Sequence, residues 1–362
     1  MATVASSASS AVEDRRANSS DWILLGTSMV LALFGLLMIY SATRAMGTIS
    51  MERQMMFAAI GAVSALVMSL IDYRDLRHRL PVLCGLVLLA LIAVFFFPEI
   101  NGARRWIPLG PFAFQPAEFA KIIAILGMAA ILAPERPNFD TSQLRWSRIF
   151  MVLGFIAIPS VLIFMEPDLG TMLVFVFVGF VMFFAAGASW RQMAVLGFGG
   201  MTAVVLAFWT GLLADYQLDR FRVLIDQDLD PQGIGYNLLR SKLAIGSGQL
   251  TGRGLFQGDA TNFRYIPEQE TDFIFTAVGE QLGFVGGLLV LLAFGMIIWR
   301  LLVIAANARD RFGTLIAVGI SAMLMFQVFV NIGMTVGIMP VTGIPLPFMS
   351  LGGSSFQMTT IA

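Results

Sequence analysis

The feature that most limits what this chain can become is a succession of apolar runs, each about as long as a bilayer is thick, interrupted by one long polar stretch. A membrane-spanning helix needs about 20 mostly apolar residues. Ten segments qualify: 22–40, 54–71, 80–97, 113–133, 149–165, 170–187, 192–213, 273–302, 313–338 and 345 to the end. The last opens on the proline-rich IPLPF and is expected to continue past Ala362. Of 362 residues, 57% are hydrophobic and 13% charged, about half the charged share of soluble domains. The expected fold is an all-α polytopic membrane protein with ten transmembrane helices.

Residues 1–20 are small and polar, with no apolar core before a cleavage site, so they read as a disordered cytoplasmic tail and not a signal peptide. Residues 21–362 read as a single membrane domain. With the N-terminus inside, the inner loops carry twelve arginines, among them Arg15, Arg16, Arg74, Arg77, Arg79 and Arg136. The short outer loops carry four: Arg44, Arg53, Arg104 and Arg105. The positive-inside bias therefore puts both termini in the cytoplasm and the polar stretch 214–271 outside, as a large extracytoplasmic loop between helices seven and eight. A structureless loop of this length is uncommon unless functional or disordered. Its turn signals, amphipathic pieces and mixed charges predict a folded one.

The net charge is zero, so no global field invites nucleic acid. One cysteine, Cys84, and one histidine, His78, exclude an intrachain disulfide and a Cys- or multi-His metal centre. Chemistry falls to carboxylates, Arg/Lys, backbone and a hard cation. No inverted pair of broken helices marks a secondary transporter.

Five polar motifs fall on the outer side. In FQPAEFAK, Glu118 and Lys121 are three apart and share a helix face. They form either an internal ion pair or the lining of a cavity for a lipid headgroup. In NGARRWIPLG, Arg104 and Arg105 are interfacial anchors or phosphate ligands. In MEPDLGT, Asp168 is a helix N-cap or, with Glu166, a cation ligand on the cavity rim. The glycine-rich GYNLLRSKLAIGSGQLTGRG offers Lys242, Arg253 and backbone N–H groups to an anion, or is a flexible link. In IPEQETDFIF, Asp272 stands at the mouth of an apolar helix beside Glu268 and Glu270, as a cap or as a catalytic group.

In this order FQPAEFAK, EPDLGT, GYNLLRSKLAIGSGQLTGRGLFQG, PEQETDFIF and NIGMTVGIMPVTGIPLPFMSLGGSS resemble the SEDS proteins (shape, elongation, division and sporulation) from Asp21 onward. SKLAIGSG and GLFQG look more like the rod-shape member RodA than the division member FtsW. The resemblance implies a ten-helix glycosyltransferase of the bacterial cytoplasmic membrane that polymerises lipid II into peptidoglycan glycan strands. It implies that Asp272 is essential as general base, that Glu118, Lys121 and Asp168 match the family's site residues, and that activity depends on a divalent cation. It also implies a class B penicillin-binding protein as transpeptidase partner within an elongation or division complex. Mg²⁺ or Mn²⁺ would be held by candidates Asp168, Glu270 and Asp272, and Arg104, Arg105, Lys242 or Arg253 would face the pyrophosphate. The rival readings are a lipid II flippase and a non-catalytic scaffold. The family often reads PERHTDFIF; here Gln269 and Glu270 replace its basic pair, which predicts a raised pKa for Asp272 or an extra cation ligand. Leu351 stands where an aromatic residue is common.

Overall fold

Apolar side chains drive the long segments into helices whose backbone groups pair internally, as a hydrocarbon environment demands. The computed structural model describes residues 21–44, 49–100, 102–110, 112–134, 144–211, 214–226, 230 and 233–362. The expected tail 1–20, with Arg15 and Arg16, and Arg136 lie outside the described residues. The helices are α1 (Trp22–Thr43), α2 (Ile49–Ser69), α3 (Tyr73–Ala93), α4 (Pro116–Leu132), α5 (Trp146–Met165), α6 (Leu169–Ala185) and α7 (Trp190–Trp209). After them come α8 (Asp215–Ile225), α9 (Ile234–Ser247), α10 (Asp259–Asn262), α11 (Ile274–Ala306), α12 (Arg311–Val336) and α13 (Gly353–Ile361). Among the described residues seven helices, namely α1, α2, α3, α5, α7, α11 and α12, are long and apolar enough to cross a membrane; α6 is apolar but shorter.

The burial pattern suits lipid. Only 6% of the apolar window of α7 is buried, against 67% for α12. So α7 turns Phe198 and Trp209 outward, while α12 is the central post against which α4, α6, α9 and α11 pack.

Three expectations need correction. Helix α3 starts at Tyr73 and not near residue 80, because Asp72 caps it by accepting from the Arg74 N–H at 2.9 Å. Arg74, Arg77 and Arg79 are thus helical, and Arg77 reaches back to the Ala133 carbonyl at 2.7 Å. The chain is not purely α: strands β1 (Ile107–Leu109) and β2 (Phe112–Phe114) form an antiparallel hairpin before α4, and Gly110 supplies the positive φ of its turn. Finally, the segment expected to be helical from 345 is non-helical up to Gly352. Pro345 and Pro347 cannot donate to a helical ladder, so the described part of the last helix is nine residues.

The polar stretch is folded, as expected, into α8, α9 and α10. Its attachment to α11 fixes the architecture around the site. Helix α11 breaks at Gly283 (φ 64°, ψ −159°). The carbonyls of Glu280 and Gln281 lose their helical donors and accept instead from the Arg253 and Gly254 N–H groups, each at 3.0 Å. The Phe284 and Val285 N–H groups donate to Gln249 and Leu250 carbonyls at 2.9 and 3.1 Å. Glycines permit this seam: a Cβ on Gly248 would lie 1.9 Å from the Gly279 carbonyl oxygen, and one on Gly252 would lie 2.1 Å from that of Gln281. The glycine-rich motif therefore packs its backbone closely against α11.

This seam yields a first prediction. Gly252→Ala combines a left-handed φ of 82° with that clash and should cost about 2 kcal/mol or more. Gly197→Ala, at a helical site with nothing within 4 Å, should be neutral or slightly stabilising. Thermal unfolding of the detergent-solubilised variants checks both.

Candidate active site

Where α2, α4, the start of α6 and the segments preceding α11 and α13 converge, they enclose a cavity of about 350 Å³. Its wall contains Arg105, Glu118, Lys121, Asp168 and Asp272. Five residues from four separate sequence motifs thus meet in one place.

Each is held by local structure. Pro116 begins α4, where a missing N–H costs nothing, and this sets Glu118 in the first turn. Lys121 Nζ sits 2.7 Å from Glu118 Oε1, with both side chains almost fully buried. The second Glu118 oxygen, Oε2, has no partner among the described residues. Asp168 is the N-cap of α6: its Oδ1 accepts from the Thr171 N–H at 3.0 Å and its Oδ2 from the Thr171 hydroxyl at 2.9 Å. The N-cap reading of Asp168 is the one seen, and the capping carboxylate also lines the cavity. Arg105 donates from Nε to the Glu166 carbonyl at 2.9 Å and from Nη2 to the Pro167 carbonyl. The hairpin is thereby pinned to the turn that presents Asp168.

Asp272 is half-buried. The amide of Asn331, inside α12, donates to the Asp272 and Ile344 carbonyls, both at 2.8 Å. One buried side chain so clamps the turn before α11 to the proline-rich segment. Gly343 (φ 75°) lies alongside; a Cβ there would stand 3.2 Å from Asp272 Oδ2. Burial, then the Glu268 carboxylate, push the Asp272 carboxyl up to about 6, while Arg220 and Arg105 hold it down. Glu166 is fully buried and does not line the cavity. Burial, then Asp168, push its carboxyl up to about 8.

Other expected residues lie elsewhere. Arg104 pairs with Glu99 at 3.2 Å on an exposed edge. Arg253 pairs with Asp259. Lys242 packs beside Gly337. Glu270 pairs with Arg264 at 3.6 Å, and Gln269 is buried, donating to the Thr276 hydroxyl at 2.8 Å. None of these five lines the cavity. Replacement of the basic pair therefore adds no ligand there, and Asp272 is raised by burial and Glu268 instead. Of the three candidate cation ligands only Asp168 and Asp272 face the cavity, and the described residues hold no cluster of three or more His, Cys, Asp or Glu. The residues fit a cation completed by substrate oxygens, as Mg²⁺ commonly is, and not an all-protein cage.

Two contributors escape sequence reasoning. Arg220 of α8 donates to the Thr342 carbonyl at 2.9 Å, and burial, then Arg105, lower its pKa while Asp168 and Asp272 raise it. Nothing in DYQLDRFRVL separates it from Arg222, which makes a surface pair with Asp219 at 3.0 Å. Asn331 did carry a signal, being a polar residue within an apolar run.

The sequence pattern of the family described as "Cell cycle protein" (FtsW, RodA, SpoVE) matches residues 21–362. The chain is 36% identical to stage V sporulation protein E of Bacillus subtilis, over 95% of each chain. It is 38% identical to the peptidoglycan glycosyltransferase MrdB of Escherichia coli K12, over 92% of this chain and 90% of that one. Among solved structures it is similar to a chain of a peptidoglycan synthase complex described as coordinating polymerization and crosslinking (TM-score 0.81, 31% identity, 95% of both chains). It is also similar to the rod shape determining protein RodA of Thermus thermophilus (TM-score 0.68, 29% identity, 95% and 94%).

Two predictions follow from the geometry. Lys121→Met leaves the Glu118 carboxylate buried without its cation and should cost about 3 kcal/mol. The double variant Glu118→Leu/Lys121→Met should recover most of that loss, as thermal unfolding would show. At Asp272 the folded state holds its proton more tightly than the unfolded chain, so ionisation costs stability as pH rises from about 4 to about 6. Asp272→Asn should match wild type in Tm near pH 4 and exceed it above pH 6; equal Tm values at pH 7.5 would contradict the raised pKa.

Proposed function

The chain belongs to the FtsW/RodA/SpoVE family of cell cycle proteins, and from that premise we propose that it polymerises lipid II into β-1,4 glycan strands at the outer face of the bacterial cytoplasmic membrane. It is a peptidoglycan glycosyltransferase acting in cell-wall synthesis. The observation that carries the mechanism is the convergence of one carboxylate of raised pKa with Arg105 and Lys121 in a single cavity.

The acceptor's 4-hydroxyl oxygen attacks the donor's anomeric carbon, its proton passes to an Asp272 oxygen, and the bond to the lipid pyrophosphate breaks. An α-linked donor and a β-linked product mean one inverting displacement. That needs one base and a stabilised leaving group, not the second carboxylic acid of glycoside hydrolysis. A base that titrates near 6 is ionised at neutral pH yet still basic enough to take a proton. Arg105 and Lys121 supply positive charge to the departing pyrophosphate. A Mg²⁺ or Mn²⁺ held by Asp168 or Asp272 with pyrophosphate oxygens would add to that charge. Glu118 restrains Lys121, and Arg220 and Asn331 position the segments bordering Asp272.

The remaining placement belongs to the same proposal: ten membrane helices in one domain, 214–271 outside between the seventh and eighth, both termini in the cytoplasm. So does a class B penicillin-binding protein as transpeptidase partner, for which the similarity to a chain of a synthase complex speaks. The flippase reading needs a polar path onward from Lys121. The next residues on that face of α4 are Ala124, Ile125 and Met128, all buried and apolar, which favours chemistry at one face over transit.

The test is polymerisation of purified lipid II with Mg²⁺ or Mn²⁺, with and without the cognate penicillin-binding protein. Wild type should form glycan strands at a rate that rises with pH to a plateau, half-maximal near pH 6. Asp272→Asn should lose about 10²-fold or more while remaining folded. Polymer from a folded Asp272→Asn at wild-type rate would sink the base assignment.

A further inference from the structure

The cavity has a second wall, opposite in character to the carboxylate-rich one. Here α2 packs against α13, and glycines allow the approach: a Cβ on Gly353 would meet the Phe57 ring at 2.5 Å, and one on Gly61 the Phe356 ring at 3.0 Å. Gln357 donates to the Phe57 carbonyl at 2.9 Å and accepts from Ser64 at 3.3 Å, locking the register. The first turn of α13 therefore stands beside the first turns of α2, and both line the cavity.

Three donor groups without partners meet there. The side chain of Gln54 is 1% exposed, yet neither its Nε2 nor its Oε1 has a hydrogen-bond partner among the described residues. A buried unpaired amide is costly, so its position in the cavity wall asks for a ligand. Arg53 is exposed, lines the same wall and has no ion-pair or hydrogen-bond partner among the described residues. Helix α13 starts at Gly353 behind Gly352, with no side-chain cap. Its first-turn N–H groups have no intrahelical acceptor and carry the positive end of the helix dipole.

We propose that Arg53, Gln54 and the N-terminus of α13 form an oxyanion subsite that holds a phosphate group, namely the pyrophosphate of a lipid-linked sugar. The substrate class rests on the glycosyltransferase reading above. Helix N-termini with an adjacent guanidinium are suited to phosphate oxygens, and the Gln54 amide supplies a donor that water loses on burial. The wall around Asp272 differs: Arg105 there is already held by two backbone carbonyls and Lys121 by Glu118. A reaction joining two lipid-linked sugars brings two pyrophosphates to one cavity, and this wall gives the second a place of its own.

The test is binding to the purified protein in nanodiscs. The probes are a polyprenyl pyrophosphate and inorganic pyrophosphate, each measured in phosphatidylcholine and in phosphatidylglycerol discs. Wild type should bind the polyprenyl pyrophosphate. Gln54→Glu, which keeps the shape and adds a negative charge, and Arg53→Ala should each weaken it about tenfold. Competition by inorganic pyrophosphate would identify the phosphate group itself as what is held; loss of binding only in phosphatidylglycerol discs would instead assign the site to membrane phospholipid and overturn the substrate assignment. Unchanged affinity in folded Gln54→Glu and Arg53→Ala would overturn the subsite, whatever the polymerisation assay gives. Absence of polymer with Gln54-dependent binding intact would overturn the glycosyltransferase reading and leave the subsite standing.

Discussion

The constraint on which the rest of this structure depends is that no backbone N–H or C=O can be left unpaired where water is excluded. A helix interrupted in a buried segment frees such groups, and at Gly283 the polar segment supplies the missing partners. Gln249, Leu250, Arg253 and Gly254 take over hydrogen bonds that a continuous α11 would make to itself. The seam has a consequence upstream. It holds the short first part of α11, Ile274–Leu282, at an angle of its own, and Asp272 lies just before that part. Its burial is nearly complete from Ile274 to Gln281, so the Asp272 turn rests on a rigid base. Glu280 adds to the fixation: its carboxylate accepts from the Ala260 and Thr261 N–H groups at 2.7 and 3.0 Å, anchoring α10 to the same helix.

Charge burial is handled by the same logic of satisfaction. Glu118 and Lys121 neutralise one another at 2.7 Å within a helix, which makes an otherwise costly pair tolerable in low dielectric. Asp168 spends its lone pairs on the N-terminus of α6. Asp272 lacks such compensation, and burial with the nearby Glu268 carboxylate raises its pKa. A carboxylate with no fixed donor is free to accept a proton from a substrate, whereas a capping carboxylate would have to break hydrogen bonds first. That difference distinguishes Asp272 from Asp168 more firmly than proximity does.

Most of the helices were legible because hydrophobicity over about 20 residues is a strong, local signal. The ends were less so. Asp72 as a cap extended α3 backward through charged residues that composition had assigned to a loop, and Pro345 and Pro347 shortened α13 against an apolar composition. At the site, Glu118, Lys121, Asp168, Arg105 and Asp272 were all named from sequence, and their meeting was not derivable from spacing. Lys242 and Arg253 fall outside the cavity; in sequence, a glycine-rich basic stretch looks the same whether its N–H groups face an anion or a broken helix. Gly252 resolves it only in three dimensions, through its closeness to the Gln281 carbonyl.

The departure at Gln269 and Glu270 sharpens what the basic pair common in the family is needed for. Gln269 is 2% exposed and bridges the Thr261 and Thr276 hydroxyls at 3.2 and 2.8 Å. Thr261 in turn donates to Glu280 at 2.7 Å, so position 269 belongs to the network joining α10 to α11. A neutral amide there completes the hydrogen bonds with no further charge to neutralise. Glu270 gives its carbonyl to the Leu351 N–H at 2.8 Å and its carboxylate to Arg264, tying the Asp272 turn to the segment ahead of α13. Both positions act on the backbone that presents Asp272, and neither faces the cavity. The positive charge lining the cavity comes instead from Arg53, Arg105 and Lys121.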